Sequence, residues 1–331
     1  MGNTDYITAS SYIRTQENRL ISKSKLESLM GMENISEVLG ALSSGTDYRF
    51  THINKLQQAD DILRKECKRI YDLVENIAPH KQVVEILKCK YDYALIKRVL
   101  KSYYIGKDIK ELSSEVSSYS AKEIYQAMMN PDISPMDQNM KETILQAMKY
   151  LNQQDIQGHD LFLDRKMYEE MSRISKELSC DLITEQVRMT IDFYNVKALL
   201  RSRDMDLGKE ILERALAKGG SIPIDAILSQ YSVPLSAVST SFSYKYLGKQ
   251  VKEGLEDYAV TKNFSKLENL LEDMLLNHIK KAKYVSFGPE VLYAYILAKE
   301  HEISQVRIII TCKWKGISNT ILRRKIGETY V

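Results

Sequence analysis

Glycine and proline are scarce, 14 and 6 of 331 residues. Both interrupt helices, and the two together average about 12% of a protein. Their scarcity excludes collagen-like, low-complexity and proline-rich disordered classes, and makes a turn-rich β-sandwich a poor fit. The four cysteines, Cys67, Cys89, Cys180 and Cys312, stand far apart. No C-x-x-C metal or redox motif exists, so they read as reduced core thiols. The longest apolar run, Val291 to Ala298, has eight residues, against about 20 for a spanning helix. The first twenty residues carry Asp5, Arg14, Glu17 and Arg19 and no leader-like apolar stretch. The expectation is therefore a cytosolic chain, neither exported nor membrane-crossing. A net charge of +3 lacks the basic excess of most nucleic-acid binders.

Catalytic motifs are missing as well. There is no Walker A or G-x-G-x-x-G phosphate loop, no G-x-S-x-G elbow and no H-E-x-x-H pair. His52, His80, His159, His278 and His301 are scattered and read as surface or interface histidines. Asp204-Met205-Asp206-Leu207-Gly208 lacks the later glutamate of a calcium loop and reads as a solvated helix end. No catalytic residue, metal ligand or cofactor is predicted.

Helical spacing is what the chain does contain. Leu56, Ala59, Leu63, Cys67, Ile70 and Val74 follow steps of three and four, and Leu267, Leu270, Leu271, Met274 and Leu275 fall at i, i+3, i+4, i+7 and i+8. Such one-sided stripes need a partner surface. The best strand candidate, Arg307-Ile308-Ile309-Ile310-Thr311, could equally be a buried helix segment. Pro79, Pro223, Pro234 and Pro289 each precede a fresh stripe, where proline suits a first helical turn. Asn130 to Pro135 and Gly219-Gly220-Ser221 are the clearest loops.

A repeat underlies the pattern. Residues 83–102 and 183–202 align without a gap at an offset of 100, sharing Glu85/Glu185, Asp92/Asp192, Lys97/Lys197, Leu100/Leu200 and Ser102/Ser202. Each copy then reaches Gly106-Lys107 or Gly208-Lys209, read as a helix stop. A fainter third copy starts at Glu290, which pairs with Asp192 at an offset of 98. Three units of about one hundred residues fit the length, with boundaries expected at 1–115, 116–218 and 219–331. The residues alone thus imply an all-helical, three-repeat chain that presents surfaces to other proteins.

Two segments carry a family resemblance. Phe287-Gly288-Pro289-Glu290 leads through Ala298-Lys299-Glu300 and Glu302-Ile303 to Val306-Arg307-Ile308-Ile309, and Asp192 to Arg201 holds an Asp-x-x-Asn-hydrophobic-Lys pattern. Both resemble the C subunit of prokaryotic V-type (A/V-type) ATPases, the relative of the d subunit of the eukaryotic vacuolar enzyme. Leu95 departs from the pattern, standing where the second copy has Asn195. The resemblance implies an all-α funnel of three similar helical subdomains about a pseudo-threefold axis. It implies a non-catalytic rotor subunit on the cytoplasmic face of the membrane. Its partners would be the central shaft and the membrane-embedded ring, between which it passes torque. Asp92, Lys97, Asp192, Lys197, Arg201, Glu290 and Lys299 are then candidate partner contacts. Equally, these charges could pair with one another and hold the chain together. A general helical-repeat adaptor without a rotary role is the alternative function.

Overall fold

A computed structural model describes residues 3–242 and 247–331, and every regular element among them is helical. The helices in chain order are α1 (Ile7–Glu17), α2 (Lys23–Gly31), α3 (Ile35–Gly45), α4 (Leu56–Ile77), α5 (Gln82–Tyr104) and α6 (Ala121–Met129). They continue with α7 (Gln138–Asn152), α8 (Ile156–Leu178), α9 (Asp181–Asp204), α10 (Lys209–Ala215) and α11 (Ile224–Ser229). The chain closes with α12 (Leu235–Phe242), α13 (Gly248–Thr261), α14 (Ser265–Ile279), α15 (Pro289–Trp314) and α16 (Asn319–Lys325). Short 3-10 turns fill several of the joints. The strand candidate Arg307–Thr311 lies inside α15. Ile309 and Ile310 of this β-branched run are buried in the core, and tertiary packing overrides the local preference for strand.

Capping residues explain the starts. Ser120 and Glu123 form a capping box on α6. Asp137 accepts from the Met140 amide at 2.9 Å and Asp155 from that of Gly158 at 2.7 Å, opening α7 and α8. Each satisfies an amide that the first helical turn leaves unpaired. Pro289 occupies the first turn of α15 behind Gly288, with Glu290 at the positive end of the helix dipole.

The chain forms two compact units: Met1–Val84 with Leu235–Val331, and Glu85–Pro234. In the first, α15 packs along α4 and against α3, so the chain's two ends share one core. Leu26, Leu29, Val38, Leu42 and Leu63 meet Val306, Ile309 and Ile310 there. In the second, α6, α7 and α8 pack in succession, and Ile96, Val99 and Leu100 join Ile124, Ile144, Leu151 and Leu163. Each such buried side chain contributes roughly 1.5–3 kcal/mol.

None of the four cysteines is in a disulfide, and Cys89 and Cys312 are buried. Two histidines differ from the surface reading: His159 and His278 are buried. His159 Nδ1 lies 3.1 Å from the Ala147 carbonyl, and burial lowers its pKa. It is a core histidine bonded to backbone.

Candidate functional site

Three long helices, α5, α9 and α15, end in the same hydrogen-bonded turn. Beyond α5, the Lys107 amide reaches back to the Ser102 carbonyl at 2.8 Å. Beyond α9, Leu207 reaches Ser202 at 2.9 Å, and beyond α15, Ile317 reaches Cys312 at 2.9 Å. The residue before each donor has positive φ: Gly106 at 71°, Asp206 at 50° and Gly316 at 65°. This six-to-one bond around a left-handed residue is a common helix stop. The stop of α9 is therefore Asp206, not Gly208. Gly208, also at positive φ, instead precedes α10 and donates to the Tyr231 hydroxyl.

Aligning the three helices on this turn changes the register of the third copy from 98 to 110. Fourteen positions before the left-handed residue stand Asp92, Asp192 and Glu302; nine before it stand Lys97, Lys197 and Arg307. The acids then play one role. Asp92 accepts from the Ser118 amide at 2.6 Å and the Ser117 hydroxyl at 2.7 Å. Asp192 accepts from the Ser221 and Ile222 amides at 3.0 and 2.9 Å. Glu302 accepts from the Ile21 amide at 2.5 Å. In every case the held amides lie just ahead of a helix: α6, α11 and α2 respectively. The same stop closes α7 around Gln154, but its fourteenth residue back is the buried Met140. The acid thus belongs to the repeat and not to the turn as such.

Local sequence makes this possible at Asp192. Gly219 has φ 108°, open to glycine and costly for other residues. A Cβ on Gly220 would collide with Asp192 Oδ1. The loop can close on the carboxylate only without side chains there. Three residues further along α9, Asn195 exchanges two bonds with the Ala217 backbone, at 2.9 and 2.8 Å. Its counterpart Gln305 donates to the Glu328 carbonyl at 2.9 Å. Leu95, the third counterpart, is buried in an apolar core.

The seven predicted contact residues separate accordingly. Asp92, Asp192 and Lys299 are buried. Lys97 pairs with Asp164 at 2.5 Å. Glu290 is half-buried beside Gly288, Lys197 is half-buried and Arg201 is exposed. The structure brings Asp92, Asp192 and Lys299 into internal contacts, and leaves Lys197 and Arg201 accessible from solvent. Burial pushes Asp92 above the ordinary carboxylate range, opposed by the bonds from Ser117 and Ser118.

Around Lys299 lies the densest charge cluster. Its ammonium is 2.7 Å from Glu302, 3.3 Å from Glu66 and 3.9 Å from Asp47, and sits over the Tyr48 ring at 4.8 Å. Arg69 holds Glu66 through two bonds, at 2.7 and 2.8 Å. Arg19 reaches Asp47 at 3.2 Å. Tyr48 donates to Glu302 at 2.7 Å, and burial followed by the Glu302 charge raises its pKa well above normal. Three cations meet three carboxylates, so the cluster is balanced in charge, with the exposed Arg19 and Arg69 at its rim. The sequence pattern points only to Lys299 among them. Glu302 and Arg307 carried the missing signal at an offset of 110. It was obscured because α15 is buried on nearly all sides between Val291 and Ile296, so its apolar pattern fits several registers.

A second polar feature is an open cavity of about 600 Å³ in the Glu85–Pro234 unit, lined by Glu85, Asp92, Glu142, Glu170 and Arg173 among others. Among the described residues, no group of three or more His, Cys, Asp or Glu could hold a metal ion. No helix there is long and apolar enough to cross a membrane.

A model of the ATP synthase (C/AC39) subunit family matches residues 9–325. The chain belongs to this family. The match spans all three repeated helices and their shared stops. Among curated relatives, the C subunit of the V-type sodium ATPase of Enterococcus hirae is 23% identical over 330 residues, covering 98% of this chain and 99% of that protein. The C subunit of the A-type ATP synthase of Thermococcus kodakarensis is 20% identical, with 98% and 91% covered. That of Methanocaldococcus jannaschii is 23% identical, with 96% and 85% covered. The all-helical fold and family membership agree with the resemblance carried by the α9 and α15 motifs. As a family member, the chain is an accessory subunit of an ion-transporting ATPase complex.

Proposed function

We propose that this chain is a non-catalytic central-stalk rotor subunit of a V-type ion-translocating ATPase. It receives the central shaft, sits on the membrane-embedded ion-carrying ring at the cytoplasmic face, and passes torque from one to the other. ATP turnover takes place in the catalytic head. The observation that carries this reading is similarity along nearly the whole chain to the C subunits of V-type and A-type enzymes. The recurrence on α5, α9 and α15 supports a pseudo-threefold funnel, with one such helix in each of the segments 1–115, 116–218 and 219–331. A torque coupler must be stiff. Scarce glycine and proline, buried acid anchors on the repeated helices and a balanced ion cluster all favour stiffness.

The test is capture of the purified ring and of the purified shaft subunits by the immobilised full chain. Binding to both supports a coupler. Binding to neither, with other partners captured instead, supports a general helical-repeat adaptor.

A further inference from the structure

The three register-equivalent cations are not equally matched. Lys97 on α5 pairs with Asp164, and Arg307 on α15 pairs with Asp60 at 2.7 Å. Lys197 on α9 makes no hydrogen bond or ion pair to a described residue, although it is half-buried. A second cation lies beside it. Helices α8 and α9 are joined by two residues and run antiparallel, and the rings of Tyr168 and Tyr194 meet across them with centroids 4.5 Å apart. One turn back along α8 is Arg165; one turn on along α9 is Lys197. The two cations therefore sit at the same level, next to the tyrosine pair. Arg165 is half-buried and likewise has no hydrogen bond or ion pair to a described residue. Acids on α8 do not neutralise them, because Asp164 and Asp160 are taken by Lys97 and Lys101 of α5, each at 2.5 Å.

We infer that the α8–α9 face bearing Arg165, Tyr168, Tyr194 and Lys197 is a docking surface for an acidic helix of a partner protein, whose carboxylate completes the pair that Lys197 lacks among the described residues. Two half-buried like charges at one level of a helix pair are better matched once a carboxylate lies between them. Tyrosine and arginine are also the residue types that dominate protein-interface energetics. A lipid surface fits less well, since half-buried tyrosines on a helix pair suit a shaped protein partner better than a fluid one.

This inference rests on the rotor reading, and takes the acidic helix to belong to the shaft. Binding of the full chain to the purified shaft subunits is measured by calorimetry at two salt concentrations, for the natural sequence, R165E/K197E and R165Q/K197Q. The expected result is at least tenfold weaker binding for R165E/K197E and a smaller loss for R165Q/K197Q. Both variants should show a flatter salt dependence and unchanged melting temperatures. Binding of both variants at natural strength overturns the inference and leaves the rotor reading standing. A lowered melting temperature in R165Q/K197Q also overturns it, by showing that the cations serve the fold. If the natural chain fails to bind the shaft at all, the rotor reading falls and the inference falls with it. Loss of binding to anionic phospholipid vesicles in R165E/K197E, with shaft binding intact, overturns the choice of a protein partner.

Discussion

The two compact units hold equivalent loops in different ways. In Glu85–Pro234, Asp92 and Asp192 reach amides that follow them by only 26 to 30 positions, and the groups donating from those loops are neutral. In the other unit, Glu302 reaches back 281 positions to Ile21. It is backed there by Lys299, Tyr48, Glu66, Arg69, Asp47 and Arg19. Where the loop follows its helix along the chain, closing it costs less entropy, and neutral donors of the loop itself meet the acid. Where it comes from the opposite end of the chain, closure is dearer, and an ion cluster adds the missing attachment.

That contrast can be broken most strongly at Lys299. Lys299→Met leaves the buried Glu66 and Glu302 and the partly buried Asp47 facing two arginines and should lower stability by about 3–5 kcal/mol, measured by urea unfolding. Adding Glu302→Gln should recover part of the loss. A cost below about 1 kcal/mol would mean that the cluster does not fasten the chain ends.

Asp192→Ala tests the neutral anchor. Two partly buried amides lose their acceptor, and a loss of about 1–3 kcal/mol is expected in the same assay. Gly220→Ala should act in the same direction, because its Cβ would displace the loop from Asp192.

Asp92→Asn sharpens the comparison within one unit. Asparagine keeps an oxygen for the Ser117 and Ser118 donors and removes a charge that burial disfavours, so stability at pH 7 should change by no more than about 1 kcal/mol. The pH dependence is more informative. The folded pKa of Asp92 lies above its unfolded value, so the fold favours the protonated form. Its contribution to stability is full below the ordinary carboxylate pKa and is lost as pH rises through the raised one. The natural chain should therefore lose stability relative to Asp92→Asn across that interval, seen in melting temperatures from pH 4 to 7.

The smallest effect is expected at Lys97→Gln. Its pair with Asp164 is partly exposed, and a change of about 0.5 kcal/mol is anticipated. A much larger loss would show that the cation belongs with the buried anchors.

Much of the fold was legible in the sequence because local rules agreed. Proline near helix starts and apolar residues at helical spacing mark the helices, and the offset of 100 between α5 and α9 survives at Asp92/Asp192 and Lys97/Lys197. The third copy was harder to place. Apolar spacing fixes register only when one face differs from the other, and α15 is buried nearly all round, so Glu290 matched Asp192 as readily as Glu302 did. The anchoring role of the acids was not legible either. An aspartate among leucines reads as an exposed charge until the loop amides that reach it are known, and those amides are specified by tertiary folding. Similarly, only the pairing of Lys97 and Arg307 reveals that Lys197 stands apart.

Reconstitution shows whether this chain couples ATP turnover to ion movement, as proposed. Vesicles carrying the ion-translocating membrane part are combined with catalytic head and shaft, with and without this chain, and ATP-driven ion uptake is followed alongside ATP hydrolysis. The account predicts hydrolysis in both preparations and ion uptake only when the chain is present, with R165E/K197E restoring less uptake than the natural sequence. Equal uptake without the chain would contradict it.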